Sequence, residues 1–247
     1  MQARWVMSDN LRRAFRAFGT PSGAAFSEAA HPTLNHGNET VPCSTAHGAR
    51  FMNPIAPIRI AGISGSLRRA SFSTALIKLL ARHLRPAIEL SLVDIRDVPL
   101  YNEDLDGDNK PAAVHAVNAA IAQADAVLFV TPEYNHGVPG VLKNTLDWIS
   151  RPVFNSVLKN KPVTIITTSL AFTGGVRAQY QLRETLTSML AQVVPGPEVV
   201  VGGVHTKFQD EAFRDQPTLD FMLSSLDRLR SEVVLRNAAN AALQATA

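Results

Sequence analysis

The sequence predicts an α/β protein with a parallel, doubly wound sheet, and two observations carry this prediction. From Ile58 onward, short β-branched and apolar runs alternate with segments whose apolar residues recur every three or four positions. This alternation favours parallel strands joined by right-handed helical crossovers. The unusual polar and glycine-rich stretches follow predicted strands, and in such sheets ligands bind at the carboxyl ends of the strands. We therefore expect five parallel strands, helices on both faces, and a ligand site at the carboxyl edge.

Five segments have the pattern of a strand. Ala126 to Val130 is a continuous apolar run, which suits a central strand buried on both faces. Pro162 to Thr168 is rich in β-branched residues. The remaining predicted strands are Ile58 to Ile63, Glu89 to Asp94 and Val199 to Val201.

Helical periodicity fills the intervals between these strands. The first helix pattern begins at Thr74 and ends before Pro86, and the second opens at Asn109-Lys-Pro111, with a proline in its first turn. A third pattern resumes at Leu142, and a last helix runs along Phe221, Leu226, Leu229 and Val233 after a loop through Asp215. The fourth helix is predicted to reach Val193, because one side carries Leu182, Leu186, Met189, Leu190 and Val193.

Composition limits the functional classes. No run of eighteen apolar residues occurs in the 247-residue chain, so we expect no membrane span. The net charge of +3 comes from scattered basic residues, which argues against nucleic-acid binding and suits anionic substrates or cofactors. The single cysteine, Cys43, excludes an intrachain disulfide and fits a reducing compartment, so we expect a cytoplasmic protein.

Residues 1–54 differ from the rest of the chain. Basic residues at the start give way to a run rich in Gly, Ser, Thr, Pro, Asn and His with faint helix periodicity. We interpret this segment as a flexible extension of a domain at 55–247, with Met52 as a plausible alternative start. A targeting peptide is the open alternative, because acidic residues are sparse near the start. The histidines here lack acidic or cysteine partners at metal-ligand spacing, so we expect no metal site.

The loop after the first strand, Ser64 to Ser73, has the composition of a phosphate-binding loop. The free N–H groups and positive dipole end of the following helix favour an anion there. An NTPase P-loop is excluded by its missing lysine, and the Gly-x-Gly-x-x-Gly dinucleotide pattern is absent. The alternative is an ordinary strand–helix turn whose serines cap the helix. Side chains that could bind phosphate are Ser66, Arg68, Ser71, Ser73 and Thr74.

The second unusual stretch is Thr131 to Gly140, which follows the central strand. Its two prolines and two glycines predict a loop that begins where the strand ends. The third, Thr168 to Gly175, follows the fourth strand and is also polar and glycine-rich.

These loops resemble those of the NADPH-dependent FMN reductases of flavodoxin-like fold, which include bacterial quinone, chromate and azo-dye reductases. The resemblance covers roughly Ile58 to Val204. It rests on Gly65 to Ser71, on Pro132 to Asn135 with Gly137 to Asn144 and Asp147-Trp148, and on Thr168 to Gly175.

The resemblance implies FMN as cofactor and NADPH, or NADH, as electron donor. It implies that the first loop holds the FMN phosphate, that the second loop lies along the isoalloxazine ring, and that Thr168 closes the other side. Many relatives carry Asn where this chain has Ser73. Hydride would pass through flavin N5 to a quinone, azo, chromate or flavin acceptor, without a catalytic side chain. The family also implies a homodimer or homotetramer, with Val141 to Ser150 as a candidate contact.

Several residues of the second loop have open roles. Glu133 either holds the loop by accepting bonds from backbone N–H groups or meets the flavin ring. The first is favoured because a carboxylate would repel a reduced, anionic flavin. Tyr134 either covers the ring or packs beneath the loop, and the Asn135 amide offers the ring edge both a donor and an acceptor. Arg177 could meet the NADPH phosphate or a neighbouring subunit, or be solvated.

Three other functions stay open from sequence. A flavodoxin-type electron carrier would bind FMN without using NAD(P)H, although Arg68 in the phosphate loop is unlike such carriers. An arsenic-resistance flavoprotein shares these motifs. A nonenzymatic redox sensor would use the basic N-terminal arm to contact a partner.

Overall fold

The structure, a computed structural model, describes residues 57–210 and 212–246, in which strands and helices alternate. The expected extension, residues 1–54, and the alternative start Met52 lie outside the described residues. The strands are β1 (Ile58–Ser64), β2 (Ile88–Val93), β3 (Ala126–Pro132), β4 (Pro162–Thr168), β5 (Gln192–Val193), β6 (Val199–Val201), β7 (Phe208–Gln209) and β8 (Ala212–Phe213). The longer helices are α1 (Phe72–Leu84), α2 (Ala112–Gln123), α3 (Gly140–Ile149), α4 (Val176–Ser188) and α5 (Gln216–Ala245).

The main sheet is parallel and has the order β2-β1-β3-β4-β5, with β6 also paired to β4. The first strand, β1, lies inside the sheet, and the strand order reverses between β1 and β3, which is a topological switch point. The predicted strand Val199–Val201 is β6, and β5 is an additional short strand, so the sheet has six strands among the described residues rather than the expected five; β5 and β6 pair with opposite ends of β4. Pro195 and Pro197 lie between them and have no N–H group to donate to a ladder.

The core lies in two layers, one on each face of the sheet. On one face, Ile60, Leu128 and Ile166 pack with the apolar sides of α1 and α5. On the other face, Phe129 and Ile165 pack with α2, α3 and α4. β3 is buried from Ala126 to Thr131, as expected for a central strand covered on both sides. The predicted fold class is therefore confirmed.

The prediction that the fourth helix reaches Val193 is wrong, since α4 ends at Ser188. Leu190 adopts a left-handed φ of 60°, and the chain then turns into β5. The apolar spacing does not stop at this boundary because Met189 and Val193 pack in the same core layer as Leu186. Periodicity alone therefore cannot separate the last helical turn from the strand that follows.

Two other boundaries differ from those expected. β3 continues through Pro132, which pairs with Thr168, whereas the sequence predicts a loop from Thr131. A proline is tolerated there because it is the last residue of the strand. The helix expected from Thr74 begins at Phe72.

The expected loop through Asp215 contains a small antiparallel hairpin, β7–β8. Its Phe208 and Phe213 rings meet edge to face at 5.1 Å, and Phe208 lies 5.5 Å from the ring of Phe72. This aromatic cluster ties the hairpin to the start of α1. Among the residues that the structure describes, no helix is both long and apolar enough to cross a membrane.

Candidate functional site

The loops that follow β1, β3 and β4 meet at the carboxyl edge of the sheet and enclose a cavity of about 400 Å³, here called the first cavity. It lies where the strand order reverses, the usual ligand position in an open α/β sheet. Its lining consists of Ser66, Arg68, Ser71, Phe72, Ser73, Pro132, Glu133, Tyr134, Thr168, Ser169, Leu170, Ala171 and Val204.

The β1 loop is wrapped around the N-terminus of α1. The Ser71 hydroxyl accepts a hydrogen bond from the Thr74 N–H at 3.3 Å and so caps the helix. No acidic side chain lies in the first turn of α1, so nothing there offsets the positive dipole end. Gly65 allows the loop to approach β3, because a Cβ atom there would lie 2.1 Å from the Thr131 hydroxyl oxygen. The helix end, with its serines, is thereby brought to the cavity.

The loop after β3 is a tight hairpin. Tyr134 and Gly137 exchange two backbone hydrogen bonds of 3.0 Å. The two residues between them, Asn135 and His136, have positive φ angles of 49° and 65°, as the central positions of a type I′ turn require. Asn135 and His136 are therefore exposed at the tip of the hairpin, while Tyr134 remains beside the cavity.

Glu133 joins this hairpin to α4. Its carboxylate accepts hydrogen bonds from the backbone N–H groups of Arg177 at 2.9 Å and Ala178 at 3.2 Å, and the Arg177 guanidinium lies 3.5 Å away. The N-cap residue of α4, Gly175, has no side chain, so Glu133 caps the helix from another loop. A second bond runs from the Val138 N–H to the side-chain oxygen of Gln181 at 2.6 Å.

The sequence left two interpretations of Glu133, and the structure shows the arrangement in which the carboxylate accepts bonds from backbone N–H groups. Arg177, for which three roles were open, contacts the Glu133 carboxylate. The hairpin is consequently fixed to α4 at both of its ends.

The loop after β4 completes the first cavity. The Thr168 hydroxyl lies 3.2 Å from the Ser73 hydroxyl, and both side chains are almost fully buried, with 2% and 1% of their surface exposed. The rest of the loop is held by backbone hydrogen bonds that join Ser169 to Val201 and Val204, and Ala171 to Gly203. A fixed loop therefore presents the exposed side chain of Leu170 at the mouth of the cavity.

The structure brings eight of the ten predicted site residues to the first cavity. These are Ser66, Arg68, Ser71, Ser73, Pro132, Glu133, Tyr134 and Thr168. Asn135 lies at the exposed hairpin tip, outside the lining. The Thr74 hydroxyl donates a hydrogen bond to Ser64 at 2.9 Å, and Thr74 lines a different cavity. That these residues bind a cofactor stays a prediction.

Sequence reasoning did not single out five lining residues. Phe72, Ser169, Leu170 and Ala171 lie within two of the identified loops, but no role was assigned to their side chains. Val204 follows β6, and only the tertiary fold brings it to the first cavity.

The lining suits a flat ligand with a phosphate. The hydroxyls of Ser66, Ser71 and Ser73, the Arg68 guanidinium and the start of α1 can donate hydrogen bonds to an anion. The carboxylate of Glu133 already accepts two hydrogen bonds from backbone N–H groups, so it is not an unpartnered anion beside the ligand. Apolar groups of Phe72, Leu170 and Val204 can cover an aromatic ring, and the volume lies in the range of small-ligand sites. The residues therefore fit FMN.

Fold and cavity together define a flavodoxin-like, nucleotide-binding α/β protein. The sequence profile of the NADPH-dependent FMN reductase family matches residues 58–206, and the chain belongs to this family. The family, the enzyme class and the cofactor pair of FMN and NAD(P)H expected from sequence are thereby confirmed at the level of the family.

Individual relatives agree with this assignment. The chain is 35% identical over 179 residues to a quinone reductase from Pseudomonas putida, covering 72% of this chain and 96% of the relative. It is 40% identical over 151 residues to an NAD(P)H-dependent FMN reductase from Pseudomonas aeruginosa, covering 61% of this chain and 81% of the relative. Among solved structures, the flavoenzyme NAD(P)H:acceptor oxidoreductase FerB from Paracoccus denitrificans superposes with a TM-score of 0.66 at 32% identity, covering 71% of this chain and 97% of FerB.

Proposed function

We propose that this chain is an NAD(P)H-dependent quinone reductase whose first cavity holds FMN. Bound FMN would supply the chemistry by accepting hydride at N5 from the reduced nicotinamide and returning two electrons to an acceptor. The observation that carries the proposal is the pair of buried hydroxyls, Ser73 and Thr168, which lie 3.2 Å apart in a cavity at the N-terminus of α1. One of these hydroxyls donates to the other, which leaves one O–H held in place and free to donate to a ligand phosphate at the N-terminus of the helix.

The β1 loop would bind the phosphate. The hydroxyls of Ser66, Ser71 and Ser73 are buried and already oriented, so they would lose little side-chain entropy on binding. The Arg68 guanidinium donates to the Ala70 carbonyl at 2.7 Å and is exposed, which leaves its other N–H groups available to phosphate oxygens. Thr74 would act indirectly, by holding Ser64 in the base of the loop.

The second and third loops would hold the ring. Pro132 has a fixed φ, and Glu133 secures the following hairpin to α4, so the backbone beside the ring would not have to reorganise. Thr168 pairs with Pro132 on the neighbouring strand and is itself fixed by the Ser73 hydroxyl. The role of the protein is then to orient the ring and to leave one face open for the nicotinamide and for the acceptor in turn.

The mouth of the first cavity favours a quinone among the acceptors expected from sequence. Tyr134 and Leu170 are about half exposed there and offer apolar surface. Such a mouth suits a flat apolar ring better than an oxyanion such as chromate, whose burial against apolar groups is costly. The relative from Pseudomonas putida is itself called a quinone reductase.

Assembly and compartment belong to the same proposal. We place this enzyme in the cytoplasm as a homo-oligomer, in keeping with its single cysteine and with the family resemblance. Half of the residues of α3 are buried within its own chain, and Val153 and Phe154 are exposed just after it. The contact expected at 141–150 is therefore better placed at the exposed residues that follow this segment.

The test is an anaerobic absorbance titration of the purified protein. We expect a flavin spectrum that is bleached by one equivalent of NADPH and restored by one equivalent of a benzoquinone. A protein that binds FMN but is not reduced by NADPH or NADH would be an electron carrier. A protein that takes up no FMN after flavin removal and reconstitution would contradict the proposal altogether.

A further inference from the structure

A second cavity, of about 390 Å³, lies on the other side of the β1 loop, between the carboxyl ends of β1 and β2. It shares Ser66 and Arg68 with the first cavity, so only the loop separates the two. Its lining consists of Ser64, Ser66, Leu67, Arg68, Arg69, Thr74, Lys78, Leu92, Val93, Asp94, Ile95 and Arg96.

Positive charge dominates the second cavity. Four of its lining residues are cationic, and Asp94 is the single acidic one. Asp94 and Arg96 form an ion pair at 2.5 Å, and this hydrogen-bonded pairing lowers the pKa of Asp94 to about 2. The pair therefore stays ionised and internally neutral near pH 7.

The other three cations, Arg68, Arg69 and Lys78, have no carboxylate within 4 Å in the part of the chain that the structure describes. They belong to two elements, the β1 loop and α1, and both border the same cavity. Arg68 is assigned to the FMN phosphate, so Arg69 and Lys78 are the two cations that remain without a counter-charge, and this surface attracts a second phosphate-bearing anion.

Apolar surface accompanies the charge. Leu67 and Leu92 also line the second cavity, and they expose 46% and 43% of their surface. One comes from the β1 loop and the other from β2, so the two leucines border the cavity from different elements. Exposed apolar side chains next to unpaired cations are suited to a ligand that carries an aromatic ring beside a phosphate.

We propose that the second cavity binds the adenosine 2′-phosphate part of NADPH, while the nicotinamide reaches the first cavity across the β1 loop. The adenine would pack on Leu67 and Leu92, and Arg69 and Lys78 would bind the 2′-phosphate. This inference rests on the proposed function and adds to it the group that distinguishes NADPH from NADH. NADH lacks that phosphate, so these two cations discriminate between the donors.

The test measures the steady-state oxidation of NADPH and of NADH by the wild-type protein and by the Arg69→Ala/Lys78→Ala double variant. We expect kcat/KM for NADPH to fall at least tenfold, while kcat/KM for NADH and kcat with either donor stay unchanged. Adenosine 2′,5′-bisphosphate should compete with NADPH for the wild-type protein and lose this inhibition in the double variant. Arg82→Ala is the matched control, because Arg82 is exposed one turn after Lys78 on α1 and does not line the second cavity.

Flavin absorbance of each variant shows whether the first cavity is intact. Equal losses of kcat/KM with NADPH and NADH, or no loss with either, would overturn the inference while leaving the proposed function in place. If wild-type protein oxidises neither donor, the proposed function itself fails, and this result is seen before any variant is made.

Discussion

The two cavities share the β1 loop but are lined by different kinds of side chain. The first is lined by buried hydroxyls, among them Ser71, Ser73 and Thr168, and by the N-terminus of α1. The second is bordered by exposed cations, Arg69 and Lys78, and by half-exposed leucines. Buried neutral donors have fixed positions and suit a ligand that stays bound. Exposed cations attract an anion at a distance yet bind it weakly in water, which suits a ligand that must leave in every cycle.

The cavities also differ in how their walls are held. In the first, Glu133 and Gln181 fasten the β3 hairpin to α4, and Ser73 contacts Thr168. In the second, the chain after β2 is braced by the Asp94–Arg96 pair, whose members are both more than half exposed. The walls of the first cavity are therefore held by more hydrogen bonds between separate elements than the chain at the Asp94–Arg96 pair, as the proposed orientation of a flavin ring requires.

Of the variants that test the difference between the two cavities, the Ser66→Ala/Arg68→Ala double variant should show the largest effect, a loss of FMN affinity. Both side chains line the first cavity, and a hydrogen bond to a charged phosphate contributes about 1.5–3 kcal/mol. We expect FMN affinity to fall by about 100-fold, measured by quenching of flavin fluorescence on titration with flavin-free protein. Lys78→Ala is the control and should bind FMN as the wild-type protein does. Equal affinity in all three proteins would remove the basis for assigning the phosphate to this loop.

The second-largest effect should come from the hydrogen bonds that Glu133 accepts from the N-terminus of α4. Glu133→Ala removes the carboxylate that accepts the backbone N–H groups of Arg177 and Ala178. We expect the free energy of unfolding to fall by about 1–3 kcal/mol and FMN affinity to weaken as well, since the hairpin is released. Urea denaturation of the flavin-free protein measures the first quantity.

Glu133→Gln keeps one acceptor oxygen and should lose less stability than the alanine variant. Glu184→Ala, an exposed position on the same helix, should stay within about 0.5 kcal/mol of the wild-type protein. A Glu133→Ala variant as stable as Glu184→Ala would show that the hairpin does not depend on this cap.

The smallest effect should be the pH dependence of the stability that the Asp94–Arg96 ion pair contributes beside the second cavity. The pKa of Asp94 is lowered from 3.8 to about 2 by the hydrogen-bonded Arg96, so the folded state favours the ionised carboxylate. The stabilisation is fully present above about pH 4 and is lost as the pH falls towards 2. Because the pair is exposed, we expect Asp94→Asn to cost less than about 1 kcal/mol at pH 6.

Urea denaturation of flavin-free wild-type and Asp94→Asn protein, from pH 6 down to pH 2.5, measures this difference. It should shrink as the pH falls and also on adding salt, which screens exposed charges. A difference that is constant across the pH range would show that the ion pair adds nothing to stability.

Much of the fold could be predicted because its signals are local. The buried run in β3 and the β-branched run in β4 mark strands by themselves, and their polar loops mark the carboxyl edge. The sequence predicts β6 with its observed bounds but not β5, because a strand of two residues carries no periodic signal and is recognised only by its pairing with the start of β4.

In the candidate site, too, the sequence predicted the loops but not which of their side chains reach the first cavity. α1 begins two residues earlier than expected, and Thr74 lines the second cavity, whereas Ser73 lines the first. A change of one residue on a helix rotates the side chain by about 100°, so composition alone could not separate these two neighbours. Asn135 is displaced to the hairpin tip by a type I′ turn, whose form depends on the backbone bonds between Tyr134 and Gly137.

The central claim, that the first cavity holds FMN, is tested most directly by a crystal structure of the protein grown with FMN. The account predicts the phosphate within hydrogen-bonding distance of the Ser71 and Ser73 hydroxyls and the ring beside Pro132 and Tyr134. A flavin phosphate found instead in the second cavity, against Arg69 and Lys78, would contradict it.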